Sequence, residues 1–276
     1  MYHFEFEMSG QSQNMHTRGG LTKGERLFYN SCQGIRLRNP IKSASAAYRG
    51  VMPISPEVLT KYDRLRSEPN SLFGNSLSFL NSFLRDALHR VVPGVDESAL
   101  ARVATNCKPT SSVIEKIDRP TRKVYETPPN GQITTLEQLE TEIRDLVRGR
   151  VVVDYLSEAN ILSKEILGTA DREKWLTSDP DLKENLNSPD DNGYRAFHVT
   201  LYVTTPYGQC YCEIQLFTVN QYSWASKTHP LMWKPEVEPP FHLKEIMKHL
   251  SECLHTSDRL FEVVRDYLNS PASRGR

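Results

Sequence analysis

Hydrophobic and polar positions change period repeatedly along this chain. From Ser55, the residues Val58, Leu59, Tyr62 and Leu65 recur at helical spacing, with Pro56 in the favoured first turn. Leu77, Leu80, Phe83, Leu84, Ala87 and Leu88 predict a second amphipathic helix, ended by Pro93-Gly94. Lys108 to Ile117 reads as a strand end running into a helix, and Thr135 caps a helix over Leu136, Leu139 and Ile143. Val147, Val151, Val152 and Val153 then supply a central strand, and Ser157 to Leu167 a further helix. At residue 197 the period drops to two: Phe197, Val199, Leu201 and Val203 alternate with His198, Thr200 and Tyr202. A second alternating run, Tyr211 to Leu216, follows a Thr-Pro-Tyr-Gly turn at Thr205 to Gly208, so the two predict a hairpin. Gln221 to Lys234 returns to helical character, Pro235 to Pro240 reads as a linker, and Phe241 to Leu268 is one long amphipathic helix. That helix either caps the sheet or joins subunits, core packing being the commoner use of such spacing. The pattern predicts an α/β (α+β) fold, a mixed β-sheet flanked by helices.

The intervals are polar. Residues 1–50 are rich in Gly, Ser, Asn, Gln and Arg, and are expected to be a poorly structured extension. The expected domain runs over residues 51–268, with 269–276 as a tail. Residues 120–134 read as a loop with a short strand at Lys123 to Tyr125, and residues 168–191 as a polar, acidic insertion. That insertion ends in a turn signal at Pro189-Asp190-Asp191-Asn192-Gly193. Directly after it the hairpin's polar face can gather His198 and Thr200 from one strand with Glu213 and Gln215 from the other.

Composition narrows the class. Thirty-four basic and 34 acidic side chains give zero formal net charge, which disfavours a dedicated nucleic-acid binder. No apolar run is long enough to span a bilayer, and no signal-peptide pattern opens the chain, so a cytoplasmic location without membrane partners is expected. The five cysteines are scattered without a Cys-x-x-Cys pair, so they are expected to be ordinary thiols and not zinc ligands.

Three segments carry a more specific signal: Asn192-Gly-Tyr-Arg-Ala-x-His198; Cys212-Glu-Ile-Gln-Leu-x-Thr218; and Gln221, Trp224, Ala225, His229 and Lys234. In this order and spacing they resemble the synthetase domain of the RelA/SpoT family, and in particular its small alarmone synthetases. Asp145-Leu-Val-Arg-Gly-Arg150-Val is similar to the family's Asp-Leu-x-Gly-x-Arg-Val strand, with the Gly displaced by one residue. The resemblance implies a nucleotidyltransferase-like sheet and pyrophosphate transfer from ATP to the 3'-hydroxyl of GDP or GTP, yielding (p)ppGpp. It assigns Asp145 and Glu213 to catalysis and to Mg2+. It assigns Lys108, Ser112, Lys116, Arg150, Tyr194, His198 and Gln215 to nucleotides and their phosphates, with Tyr194 stacking on the acceptor base. No hydrolase signature of paired His and Asp ligands is visible, so synthesis without the reverse reaction is expected.

The chain also departs from the family pattern. Asn106 stands near a position where relatives carry an Arg that stacks on the donor base. Asp190 and Asp191 replace loop lysines, Phe217 replaces an Arg, and Ser226 and Thr228 replace two Glu residues. Carboxylates beside a phosphate site would repel a nucleotide, with Arg172 and Lys174 as partial substitutes. These departures leave two alternatives open: a toxic member acting on the tRNA 3' end or on adenosine nucleotides, with an antitoxin as partner, or an inactive nucleotide-binding module. Self-association as a homo-oligomer stays open as well.

Overall fold

The hairpin expected at residues 197–216 forms the inner part of a five-stranded sheet. The computed structural model describes residues 54–96, 102–118, 131–177, 181–228, 231 and 239–270. The strands are β1 (Val103–Cys107), β2 (Val147–Val153), β3 (Leu182–Glu184), β4 (Phe197–Thr205) and β5 (Gly208–Thr218). Their order is β1-β2-β5-β4-β3, and only the β2–β5 pair is parallel. The helices are α1 (Pro56–Leu65), α2 (Leu72–Val91), α3 (Thr110–Ile117), α4 (Leu136–Glu142), α5 (Leu156–Arg172), α6 (Val219–Thr228) and α7 (Phe241–Asn269).

Alternation assigns the two faces of the sheet. Val147, Val151, Val199, Leu201, Cys212, Ile214 and Leu216 point into the core, where α2 and α5 pack. Gly149 belongs to that face. A Cβ there would lie 2.4 Å from Leu84 Cδ1 and 2.9 Å from Leu80 Cδ2, so the glycine lets α2 sit close against the sheet. The opposite face carries the polar set, aligned by register. Asn106, Arg148, Glu213 and Thr200 form one row across β1, β2, β5 and β4. Ala104, Arg150, Gln215 and His198 form the next.

Local signals explain the ends of the elements. Ser55 Oγ accepts the amide of Val58 and caps α1. Thr135 and Gln138 form the reciprocal capping box of α4. Three expectations need correction. The helix expected at 157–167 runs on to Arg172, because its packed face continues through Ala170, which is fully buried. Within the expected insertion, Leu182–Glu184 adds an edge strand, paired to Phe197–Val199. Helix α6 begins at Val219 immediately after β5, since Thr218 and Gln221 exchange backbone-to-side-chain hydrogen bonds across the junction. The expected strand at 123–125, the extension at 1–50, His229, Lys234 and residues 271–276 lie outside the described residues.

Helix α7 departs from core packing. Ser251 and Asp258 are its buried residues, whereas Leu243, Ile246, Leu250 and Leu260 are exposed. Asp258 accepts hydrogen bonds from Thr218 Oγ1 at 2.7 Å and Asn220 Nδ2 at 2.8 Å, tying α7 to the β5–α6 junction. No described helix is long and apolar enough to cross a membrane.

Candidate functional site

Glu213 lies on the polar face of β5, the central strand of the sheet. Gln215, two residues on and therefore beside it, donates from Nε2 to Glu213 Oε2 at 2.6 Å. His198 faces Glu213 from β4, with Nδ1 3.5 Å from Oε1. Its other nitrogen, Nε2, is 2.7 Å from the Tyr194 hydroxyl. Burial pushes the Glu213 carboxyl up, but the hydrogen bond and charge of His198 outweigh it, and the net shift is downward. Glu213 is therefore held as a carboxylate. The Tyr194 phenol goes the other way: burial, then the negative charges of Glu213 and Asp190, raise it well above its usual value. It stays protonated and serves as a neutral hydrogen-bonding group.

Tyr194 is positioned by the turn before it. Asp190 Oδ1 accepts the amides of Asn192 at 3.0 Å and Tyr194 at 2.9 Å, an Asx turn closed by Gly193 at φ +89°. A side chain at 193 would also press on Lys248 Cα at 3.1 Å and Ser251 Cβ at 3.3 Å, both on α7. Ser251 Oγ donates to the Gly193 carbonyl, and buried Arg195 reaches Glu252 at 2.8 Å. The ring of Tyr194 packs edge-on against His198 and Phe217, centroids 5.5 and 6.0 Å apart, and tilts against Trp224. Phe217 is buried among these rings.

A second ionic centre adjoins the first. Asp145 stands two residues before β2 and is bracketed by two lysines, Lys108 Nζ at 2.7 Å from Oδ2 and Lys116 Nζ at 2.7 Å from Oδ1. Lys108 leaves the end of β1, while Lys116 projects from the last turn of α3, which places Ser112 in its first turn. Burial alone would raise the Asp145 carboxyl, yet the two lysines bring it down to about 2. Lys108, 8% exposed, is lowered by its own burial despite Asp145. The two centres sense each other, since Asp145 raises and Lys116 lowers the Glu213 carboxyl.

Arg150 takes a third position. Its guanidinium lies over the Tyr222 ring, 4.1 Å from the centroid, and donates to the Tyr222 hydroxyl. A cavity of about 180 Å³ opens beside it, lined by Ala104, Asn106, Arg148, Gly149, Arg150 and Gln215. Glu213, Gln215, His198 and Arg150 thus lie on this sheet face, Tyr194 on the turn before β4, and Asp145, Lys108, Lys116 and Ser112 beside α3 and the end of β1. Expectation missed Tyr222, which fixes Arg150, and Arg148, whose signal was its alternation with Arg150 on one strand. The Asp190 carboxylate turns inward to the backbone and organises the turn, whereas Asp191 is exposed. Arg172 bonds Thr169, and Lys174 takes a positive φ of 61° after α5.

Among the described residues, no three His, Cys, Asp or Glu side chains gather into a metal site. Two ionised carboxylates are nonetheless what Mg2+ commonly takes from a protein, with water and phosphate completing its octahedron. Asp145 and Glu213 fit that donor set. Both oxygens of Asp145 are engaged by lysines here, so holding a cation there would require one of them to give way, and Lys116 is the more exposed of the two.

The fold is a mixed, helix-flanked α+β sheet, with Glu213 on β5 and Asp145 just ahead of its parallel neighbour β2. Residues 105–238 match the family described as the region found in RelA / SpoT proteins. The fold is that of small alarmone synthetase 1 from Bacillus subtilis bound to its product pppGpp. The TM-score is 0.56 at 19% identity, covering 76% of this chain and all of that one. A second structure of that synthetase matches at TM-score 0.51 and 18% identity, over 77% of this chain and 96% of its own. The smu.1046c protein of Streptococcus mutans UA159 matches at 0.50 and 21%, with the same two coverages. No functionally curated protein matches the chain at a significant level.

Proposed function

We propose that this chain transfers pyrophosphate from ATP to the 3'-hydroxyl of GDP or GTP. One observation carries the reading: Asp145, bracketed by Lys108 and Lys116 at 2.7 Å each, stands just ahead of β2, the parallel neighbour of the strand on which Gln215 and His198 hold Glu213. The acceptor oxygen attacks the β-phosphorus of ATP, the bond from that phosphorus to the α,β-bridging oxygen breaks, and AMP leaves. Glu213 takes the hydroxyl proton, its geometry fixed by Gln215 and His198. Tyr194 and the Asn192-Gly193 turn receive the acceptor base, and Arg150 binds phosphate in the fork geometry of a guanidinium. Lys116 follows the donor phosphates while buried Lys108 stays on Asp145, so positive charge is present before charge moves to the leaving group. Asp145 and Glu213 would hold Mg2+, which would neutralise the remaining phosphate charge.

The test offers GDP, GTP, ADP and deacylated tRNA in parallel to the purified chain with Mg2+ and ATP labelled on its terminal phosphates. Label on GDP or GTP, lost in Glu213→Ala and on chelation with EDTA, is the expected result. Label confined to ADP or tRNA would move the chain to the toxic branch of the family. Absence of label from every acceptor would leave a nucleotide-binding module.

A further inference from the structure

Arg148 and Arg150 stand two residues apart on the polar face of β2, with Gly149 turned to the core between them. Both line the cavity of about 180 Å³ that runs from Asn106 on β1 to Gln215 on β5. Their surroundings differ. Arg150 lies over the Tyr222 ring, 4.1 Å from its centroid, and donates to the Tyr222 hydroxyl. Arg148 makes no hydrogen bond or ion pair among the described residues, and the Nε of each guanidinium is buried without a partner. Tyr222 follows the end of β5, which runs parallel to β2, so it lies past Arg150 on the side away from Arg148. One face of the Arg150 guanidinium is covered by that ring, and the cavity lies on the side of Arg148. Side chains two apart on one strand face are separated by roughly 7 Å. A flat ring midway between them would lie about 3.5 Å from each, in van der Waals contact and well inside cation–π reach.

We infer that Arg148 and Arg150 clamp the purine base of the donor nucleotide between them, with Tyr222 as the positioning residue behind Arg150. The inference rests on the transfer proposed above and adds residues to its donor side. Place in the sheet selects donor over acceptor. The order β1-β2-β5-β4 puts the cavity on the β1 and β2 side of Glu213, whereas His198 stands on β4 with Tyr194 just before it. Lys108, one of the lysines proposed for the donor phosphates, follows Asn106 by two residues at the end of β1. Base and phosphates of one nucleotide therefore fit along this edge, with Asp145 and Glu213 beside the phosphates. The two uses of Arg150 do not compete, because its N–H groups leave in the guanidinium plane while stacking uses the faces. Arg148 is particular to this chain. In the run Asp145-Leu-Val-Arg-Gly-Arg150 the displaced glycine puts an arginine where the family pattern has the glycine. Its direct cross-strand partner is Asn106, short and uncharged, near the place where relatives carry the arginine that stacks on the donor base. The stacking guanidinium has moved across one strand, from β1 to β2, and enters the same cavity.

Equilibrium binding to the full chain with Mg2+ and no acceptor tests the clamp apart from turnover, with a non-hydrolysable ATP analogue and inorganic triphosphate as probes. Arg148→Ala is expected to weaken the analogue on the order of tenfold, the scale of one base-stacking contact, and to leave triphosphate unchanged. Arg148→Lys keeps the charge without the planar face and is expected to behave like Arg148→Ala. Asn106→Arg in the Arg148→Ala background returns a guanidinium to β1 and is expected to recover most of the loss. Because Arg148 has no partner in the fold, these substitutions are expected to leave thermal unfolding unchanged. Equal losses for analogue and triphosphate, or wild-type affinity in Arg148→Lys, would make Arg148 a phosphate ligand and overturn the clamp. An Arg148→Ala variant that binds the analogue as tightly as wild type would overturn it too, as would a double variant no tighter than Arg148→Ala. An Arg148-dependent seat for the analogue in a chain that labels no acceptor would keep the clamp and remove the proposed transfer.

Discussion

His198 Nε2 lies 2.7 Å from the Tyr194 hydroxyl while Nδ1 of the same ring lies 3.5 Å from Glu213 Oε1, so the imidazole bridges a phenol and a carboxylate. Removing the phenol oxygen leaves one end of the bridge without a partner. Tyr194→Phe keeps the stacking ring and deletes that hydrogen bond, worth about 1 kcal/mol. The expected result is a loss of about fivefold in kcat/KM for the acceptor. Tyr194→Leu removes the ring as well, and is expected to raise the acceptor KM further while leaving the ATP KM nearly unchanged. Equal rises in both KM values would show that Tyr194 does not separate acceptor from donor.

Asp190 makes the opposite kind of prediction from the one its charge suggests. A carboxylate that repelled nucleotide would give tighter binding on neutralisation. Here Oδ1 accepts two amides of the turn, so the residue supports the site. Asp190→Ala is expected to lower stability by about 1–2 kcal/mol and weaken acceptor binding, whereas Asp190→Asn keeps the accepting oxygen and stays near wild type. Thermal unfolding and acceptor titration of both variants check this. A tighter acceptor in either one would restore the repulsion reading.

Much of this arrangement was legible in the chain because the relevant signals are local. Alternation at 197–203 and 211–216 gave the hairpin, and with it the convergence of His198, Glu213 and Gln215 on one face. The Ser55 and Thr135 caps and the turn at Gly193 are similarly short-range. What escaped depends on tertiary geometry. The direction in which α7 turns its apolar stripe is set by Ser251, Glu252 and Asp258 finding partners 58, 57 and 40 residues away. No period in the sequence encodes those partners. The seat of Arg150 on Tyr222 likewise joins residues 72 apart. The strand at 182–184 has only three residues, all exposed, too few for alternation to register.

Gly149 tests how tightly the sheet is backed. An added methyl would fall 2.4 Å from Leu84 Cδ1, and both Leu80 and Leu84 are fully buried, so they have little room to yield. Gly149→Ala is expected to cost about 1–3 kcal/mol in urea unfolding through overpacking. Because the register of β2 carries Arg148 and Arg150 on the other face, the same shift is expected to lower activity. Leu84→Ala makes room for the methyl, so the double variant is expected to lose less stability than the two single variants summed. A double variant no better than the sum of its parts would place the strain elsewhere.

Asp145 gives the pH-dependent case. Its carboxyl is brought down from 3.8 to about 2 because Lys108 and Lys116 outweigh the effect of burial. A depressed acid contributes stability that is complete above its ordinary value and lost as pH falls through the folded one, here between about pH 4 and pH 2. The shift corresponds to about 2 kcal/mol. Asp145→Asn removes that contribution and leaves Lys108, 8% exposed, with its counter-charge gone. At pH 7 the variant is expected to be less stable by about 3 kcal/mol, the scale for breaking one side of a buried pair. The difference should shrink as pH falls from 4 to 2, where the wild type protonates and gives up the same ion pairs. Lys108→Met in the Asp145→Asn background removes the stranded ammonium and is expected to recover stability at pH 7 without recovering label transfer. Urea unfolding at stepped pH reads both effects, and a wild-type-to-variant gap that stays constant from pH 7 to pH 2 would show that the two lysines do not hold Asp145 ionised.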